Sequence, residues 1–133
     1  MSQESVDLVA EGLREFQATL RAAESAPADF VWDLSTLEGW PDAVQYVGPE
    51  GFNEFIAKWT EAYDEFEQRT EELFDAGDQD VVSIISQRGR PRGSQSWVHL
   101  RFGVVWTVAD GEIKRGRVFR TAEEALEAVG LRK

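Results

Sequence analysis

Several residue types are scarce in this sequence, and each absence argues against a class of function. Cysteine is absent from all 133 residues. This excludes disulfide bonds, thiolate zinc sites and cysteine nucleophiles, and it is compatible with a reducing cytoplasm, where we expect the protein to act. Histidine occurs once, at His99, so no second imidazole supports a metal site. We accordingly expect neither a metal nor a cofactor.

Long apolar runs and an excess of positive charge are also missing. No stretch approaches the roughly 20 apolar residues that a membrane span requires. The first residues show no basic and apolar segment of the kind found in signal peptides. The formal net charge of −11 opposes binding to polyanions, because nucleic-acid affinity depends strongly on cationic groups. We therefore expect neither a membrane nor a nucleic acid as partner.

Charged residues nevertheless cluster at two places. Arg88–Gly93 holds three arginines in six residues, and its Gly and Pro residues favour an exposed hairpin turn over the alternative, a phosphate or nucleic-acid contact. The second cluster is acidic and indicates a solvated face rather than a set of metal ligands. Its members are Glu61, Asp64, Glu65, Glu67, Glu71 and Glu72.

Apolar residues at spacings of three and four predict two long helices. The first helix carries Val6, Val9, Leu13, Phe16 and Leu20. The second begins at Gly48-Pro49 and carries Phe52, Phe55, Ile56, Trp59 and Tyr63. A third, C-terminal helix is predicted by Thr121 and Glu124, which have the spacing of a capping box, and by Gly130 as its end.

Strand patterns fill the remaining sequence. Phe30–Asp33 predicts a short strand, followed by a loop that contains Trp40. Longer strands are predicted at Phe66–Phe74, Val81–Ile85, Trp97–Val108 and Ile113–Phe119. The Asp-Gly pair between the last two is typical of a tight hairpin. Helices packed on one face of an antiparallel sheet form an α+β fold, here as a single domain over residues 1–133.

Several segments together resemble a bacterial SnoaL-like, ketosteroid-isomerase-like group of the nuclear transport factor 2-like superfamily. They are Phe30–Ser35, Glu38–Pro41, Tyr46–Gly51, Asp75–Asp78, Gln87–Arg90, Phe102–Thr107, Asp110-Gly111 and Glu124–Leu131. The resemblance covers residues 30–131, and residues 1–29 supply the N-terminal helix and an irregular connection. It implies a cone-shaped, cystatin-like fold, in which a curved antiparallel sheet wraps around helices and a short C-terminal helix follows.

Such a cone implies a pocket for a small, largely apolar and even planar molecule. The predicted lining residues are Phe16, Trp32, Trp40, Phe55, Trp59, Tyr63, Phe102, Val104 and Trp106. These side chains could equally fill the cone as an ordinary core, since aromatic residues dominate cores. Tyr63 would offer a polar contact if it faces inward. The implied function is ligand binding, with isomerase, cyclase or hydrolase chemistry; the alternative is a non-catalytic binding or dimeric interaction domain.

Asp33 is the candidate catalytic residue, because the resemblance places a carboxylate base on the short strand. Burial beside Trp32 would raise its pKa and suit it to general acid–base catalysis. The alternative is that it binds backbone amides at the strand-to-loop turn. The isomerases also need two hydrogen-bond donors for the enolate oxygen. Phe16 and Val104 match those positions and cannot donate, so a steroid-isomerase mechanism is disfavoured.

The resemblance also implies a homodimer formed through the outer face of the sheet. By strand alternation, this face carries His99, Arg101, Arg117 and Phe119. Simple exposure to solvent is the alternative for all four.

Overall fold

A computed structural model describes residues 3–36, 45–77 and 79–131. Within these residues the helices are α1 (Gln3–Thr19), α2 (Gly48–Thr60) and α3 (Ala122–Ala128). The strands are β1 (Val31–Asp33), β2 (Gln45–Val47), β3 (Tyr63–Gly77), β4 (Asp80–Pro91), β5 (Val98–Ala109) and β6 (Glu112–Phe119). Trp40, predicted to line the pocket, lies outside the described residues. No helix of the described ranges combines the length and apolarity that a membrane span needs.

The six strands form one curved, unclosed sheet in the order β2-β1-β6-β5-β4-β3. The predicted meander is confirmed, because β3, β4, β5 and β6 pair antiparallel in sequence order. One pairing differs from the expected antiparallel sheet. β1 pairs parallel with β6, and β2 pairs antiparallel with β1 beyond it. The α+β cone fold is confirmed.

The two faces of the sheet carry separate hydrophobic clusters. Helices α1 and α2 bury their apolar stripes on one face, through residues such as Val9, Leu13 and Phe55. Helix α3 covers the other face, where Ala125 and Leu126 belong to a second cluster. The helices therefore lie on both sides of the sheet, and the cone is the space on the side of α1 and α2.

The two ends of helix α3 and the β5–β6 hairpin follow their sequence patterns closely. Thr121 accepts a hydrogen bond from the backbone N–H of Glu124 at its side-chain oxygen, over 3.1 Å. Gly130 ends the helix with a φ of 82°. At the β5–β6 turn both Asp110 (φ 57°) and Gly111 (φ 75°) have positive φ, as a type I′ hairpin requires. These local predictions are confirmed.

Tyr63 does not belong to α2, contrary to the predicted helical stripe. The helix ends at Thr60, and Tyr63 is the first residue of β3, paired with Pro91. Its ring covers Gly89, where a Cβ would lie 2.5 Å from Cδ1 of Tyr63. Just before Tyr63, the carbonyl of Ala62 accepts a hydrogen bond from Arg92 N–H over 2.9 Å, which joins this segment to the turn after β4.

The predicted arginine turn is also placed differently. Strand β4 continues to Pro91, so Arg88 and Arg90 are strand residues, and only Arg92 and Gly93 fall in the turn. The extension is stabilised by pairing along the whole length of the acidic strand β3. Gly93 supplies the positive φ of 74° that the turn needs.

Candidate functional site

A cavity of 420 Å³ lies between the concave face of the sheet and helices α1 and α2. Seven of the predicted pocket residues line it. They are Phe16, Trp32, Phe55, Trp59, Phe102, Val104 and Trp106. Tyr63 is not among the described lining residues, because it packs on the sheet at Gly89. The predicted polar contact from Tyr63 is therefore wrong.

Gly116 makes room for the two tryptophans at the centre of the wall. It lies on β6 between Trp32 of β1 and Trp106 of β5. A Cβ at Gly116 would lie 2.8 Å from Cζ3 of Trp32 and 3.0 Å from Cζ3 of Trp106. Without that Cβ, the two rings approach to 5.6 Å between centroids. The approach of these two rings in the cavity wall thus depends on the absence of a side chain at Gly116.

Helix side chains complete the aromatic wall by edge-to-face packing. Phe52 of α2 meets Trp32 at 5.0 Å with an interplanar angle of 88°, and meets Phe16 of α1 at 5.4 Å and 72°. Phe55 and Trp59 lie one turn apart, with centroids at 5.3 Å. The rings contact one another as a core does and also enclose free volume, so both interpretations of the aromatic residues hold in part.

Polar side chains within the wall bind mostly to one another. Trp106 Nε1 donates to Ser83 Oγ over 2.8 Å. Gln87 Oε1 accepts from Trp59 Nε1 at 3.2 Å and from Gln68 Nε2 at 2.9 Å. Sequence analysis missed these residues, although alternation from Val81–Ile85 puts Ser83 and Gln87 on the cavity face. They mark the cavity as mainly apolar with a few oriented polar groups.

Three charged residues border the cavity, and each is paired with an opposite charge. The pairs are Arg101–Glu71 at 2.8 Å, Glu112–Lys114 at 3.1 Å and Arg120–Glu124 at 4.0 Å. All six side chains are more than a quarter exposed, so solvent screens them. The described central wall therefore presents uncharged groups.

Asp33 lies beside the cavity wall rather than on it. The described lining residues include its neighbours Trp32 and Leu34, but not Asp33. Its carboxylate accepts hydrogen bonds from the backbone N–H of Ser35 at 2.8 Å and from the guanidinium of Arg115. The alternative that Asp33 binds a backbone amide at the strand-to-loop turn is confirmed.

The electrostatic expectation for Asp33 is wrong. Burial of the side chain, which is 2% exposed, raises the pKa, as expected. The hydrogen bonds from Arg115 and Ser35, together with the positive charge of Arg115, outweigh burial and hold the pKa below its usual value. Asp33 is therefore an ionised carboxylate near neutral pH. Its predicted role as a general acid or base stays a prediction.

The predicted dimer surface is only partly open. Phe119 is buried at 8% exposure in the cluster under α3, so it cannot serve as an exposed contact. Arg117 lies over the ring of Phe119 at 5.7 Å, and Arg101 pairs with Glu71. His99 is exposed on β5. Pairing of two chains through this face stays a prediction.

The arginine cluster is neutralised by the acidic strand beside it. Arg88 pairs with Glu67 at 2.9 Å, and Arg90 pairs with Glu65 at 3.2 Å. The acidic residues thus form an exposed ladder with arginines, as their solvated pattern suggests. Among the described residues, no group of three His, Cys, Asp or Glu side chains could hold a metal ion.

Comparison with solved structures identifies the same fold. TerC, crystallised with polyporic acid, superposes with a TM-score of 0.73 at 16% identity, over 96% of this chain and 98% of TerC. A nuclear transport factor 2-like protein from Anabaena variabilis gives 0.71 at 15% identity, over 94% and 96%. A candidate SnoaL-like polyketide cyclase from a Jannaschia species gives 0.62 at 18% identity, over 90% and 88%.

Of the two sequence comparisons, the one with family models agrees with this fold. No curated protein matches the chain. The model of the SnoaL-like domain matches residues 21–116, well over half of the sequence. This family supports a ligand-binding or cyclase-type role. The matched region includes α2, β1 to β5 and most of β6. The chain therefore belongs to the SnoaL-like domain family within the nuclear transport factor 2-like fold.

Proposed function

We propose that this protein binds a small, uncharged and largely apolar molecule in the cavity between its sheet and helices α1 and α2. One observation carries the proposal: the 420 Å³ cavity is lined by aromatic and aliphatic side chains. Small-molecule sites usually have volumes of about 300–1,000 Å³ and such walls. Many apolar contacts of this kind stabilise a ligand in proportion to its buried area.

The charge distribution supports an uncharged ligand. An ion placed against the central wall would lose its hydration without gaining an opposite charge. The charged residues at the border already pair with surface partners, such as Arg101 with Glu71. An aromatic molecule also suits the wall, because Trp32 and Trp106 offer two neighbouring rings, with centroids 5.6 Å apart, for aromatic contacts. TerC, which shares the fold, was crystallised with polyporic acid.

Binding is favoured over acid–base catalysis by the surroundings of Asp33. A general base works best when its pKa lies near the working pH, and the contacts of Asp33 lower its pKa instead. Phe16 and Val104 line the cavity and supply no donor for an oxyanion. A cyclase- or isomerase-type reaction that uses Asp33 is the second candidate, supported by the family.

The test is ligand binding to a matched pair of variants. Val104→Phe adds a ring inside the cavity, and Val98→Phe adds the same ring at an exposed position of the same strand. A panel of planar, neutral aromatic compounds is screened by thermal shift, since a ligand that binds the native state raises its stability. We expect hits for the wild type and Val98→Phe, and loss of binding in Val104→Phe. Binding that Val104→Phe leaves unchanged would place the ligand elsewhere.

A further inference from the structure

Three tryptophans of the cavity wall differ in how their indole N–H groups are used. Trp106 and Trp59 donate to Ser83 and Gln87, polar residues that the sheet buries beside them. Trp32 Nε1 is also buried, yet it has no hydrogen-bond partner within the described part of the chain. The whole side chain of Trp32 is only 6% exposed.

The position of the Trp32 ring places this N–H away from Gly116. The Cε3–Cζ3 edge of the indole lies over Gly116, where a Cβ would be 2.9 Å and 2.8 Å from these two atoms. Nε1 lies on the opposite edge of an indole. The nitrogen therefore lies on the edge of the ring that is remote from Gly116, in an indole that lines the cavity and packs against Phe52 and Phe55 of α2.

An unpartnered buried donor is unusual and needs a physical reason. Most buried N–H groups in folded proteins have a partner, because losing a hydrogen bond to water without replacement is unfavourable. In this wall the sheet provides Ser83 for Trp106, and Gln87 for Trp59. Among the described residues, the rings packed against Trp32 are instead those of Phe30, Phe52, Phe55 and Trp106, which offer no acceptor oxygen. A donor kept in such surroundings is available for a ligand.

We propose that Trp32 Nε1 donates a hydrogen bond to an oxygen of the ligand, so that the cavity selects planar, uncharged molecules bearing a carbonyl or ether oxygen. The inference rests on the proposed function, and it names the ligand's chemistry. In the structure the nitrogen is screened from solvent, so the oxygen reaches it through a small rotation of the indole or of Phe52. Apolar contacts supply affinity, and Trp32 supplies selectivity.

The experiment compares 9-fluorenone with fluorene, two flat probes that differ only by a carbonyl group (C=O) in place of CH₂. We expect the wild type to bind fluorenone about three- to tenfold more tightly, the usual effect of one buried hydrogen bond. Trp32→Phe should remove this preference. Trp97→Phe is the control and should keep it, because Trp97 lies against Arg88 and is not among the described lining residues of the cavity.

A second measurement on the wild type does not depend on any variant folding. The indole ¹H–¹⁵N signal of Trp32 should shift when fluorenone binds, and much less with fluorene. Equal affinities for the two probes, with an unmoved Trp32 signal, would overturn the inference and leave the proposed function intact. The N–H of Trp32 would then be directed at the π face of the Phe52 ring. If neither probe binds, the proposed function falls, and this inference falls with it.

Discussion

The guanidinium of Arg115 on β6 donates a hydrogen bond to the buried carboxylate of Asp33 on β1. These two strands form the one parallel pairing of the described sheet, in which Asp33 stands opposite Arg117. The same carboxylate also accepts from Ser35 N–H, where the strand ends. Asp33 therefore links β1 to β6 and also fixes the start of the following loop.

Asp33→Asn should destabilise the protein at pH 7 by about 1–2 kcal/mol. The figure is that of a charge-assisted hydrogen bond, reduced because Arg115 is 45% exposed. The folded-state pKa of Asp33 lies below its usual value, so the carboxylate contributes stability above the unfolded pKa. That contribution disappears as the pH falls through the folded pKa. Denaturant unfolding from pH 7 to acid should show the difference between wild type and variant shrinking.

The matched control for this variant is Asp29→Asn. Asp29 pairs with Lys114 at 3.3 Å but is 72% exposed, so its loss should change the free energy of unfolding by less than about 0.5 kcal/mol. Equal effects of the two substitutions would contradict the structural role of Asp33.

A carboxyl-resolved NMR titration tests the protonation state of Asp33 directly. Its midpoint should lie below the ordinary value of 3.8, because Arg115 and Ser35 bind the ionised form. A midpoint raised toward neutrality would restore Asp33 as a candidate general acid or base.

Ser83→Ala should cost about 1–3 kcal/mol of stability, since it leaves Trp106 Nε1 buried without its acceptor. Trp106→Phe removes the donor of this hydrogen bond. In the Trp106→Phe variant, Ser83→Ala should therefore lower the free energy of unfolding by less than it does in the wild type. A double-mutant cycle by urea denaturation measures this coupling. Strictly additive losses would mean that the 2.8 Å bond contributes nothing.

Gly116→Ala should destabilise the protein by about 1–3 kcal/mol and weaken ligand binding, because the new Cβ would press on Trp32 at 2.8 Å. Gly12→Ala is the control, with its Cβ at an ordinary 3.4 Å from Ile113 Cδ1. In helix α1 that change should instead stabilise by up to about 1 kcal/mol. Thermal unfolding compares the two, and a tolerated Gly116→Ala would show that the tryptophan rings can move freely.

Local patterns in the sequence determined most of the elements. Helices α1 and α3 and the Asp110-Gly111 turn depend on side chains within a few residues, so periodicity and capping predicted them. Strand β2 escaped prediction because three residues carry too short a pattern, and its Tyr46 becomes buried only by pairing beside Trp32. Tyr63 joined the wrong element for a similar reason, since strand pairing with Pro91 overrides the helical spacing.

The sequence by itself determined the fold family and excluded cysteine chemistry. Tertiary structure decided what the polar residues do. Asp33 is ionised and bound rather than neutral, because Arg115 reaches it from a strand 82 residues later. Ser83 and Gln87 accept hydrogen bonds from Trp106 and Trp59, whereas Trp32 Nε1 has no partner in the part of the chain that the structure describes. Such pairings join distant segments, and no local pattern of residues records them.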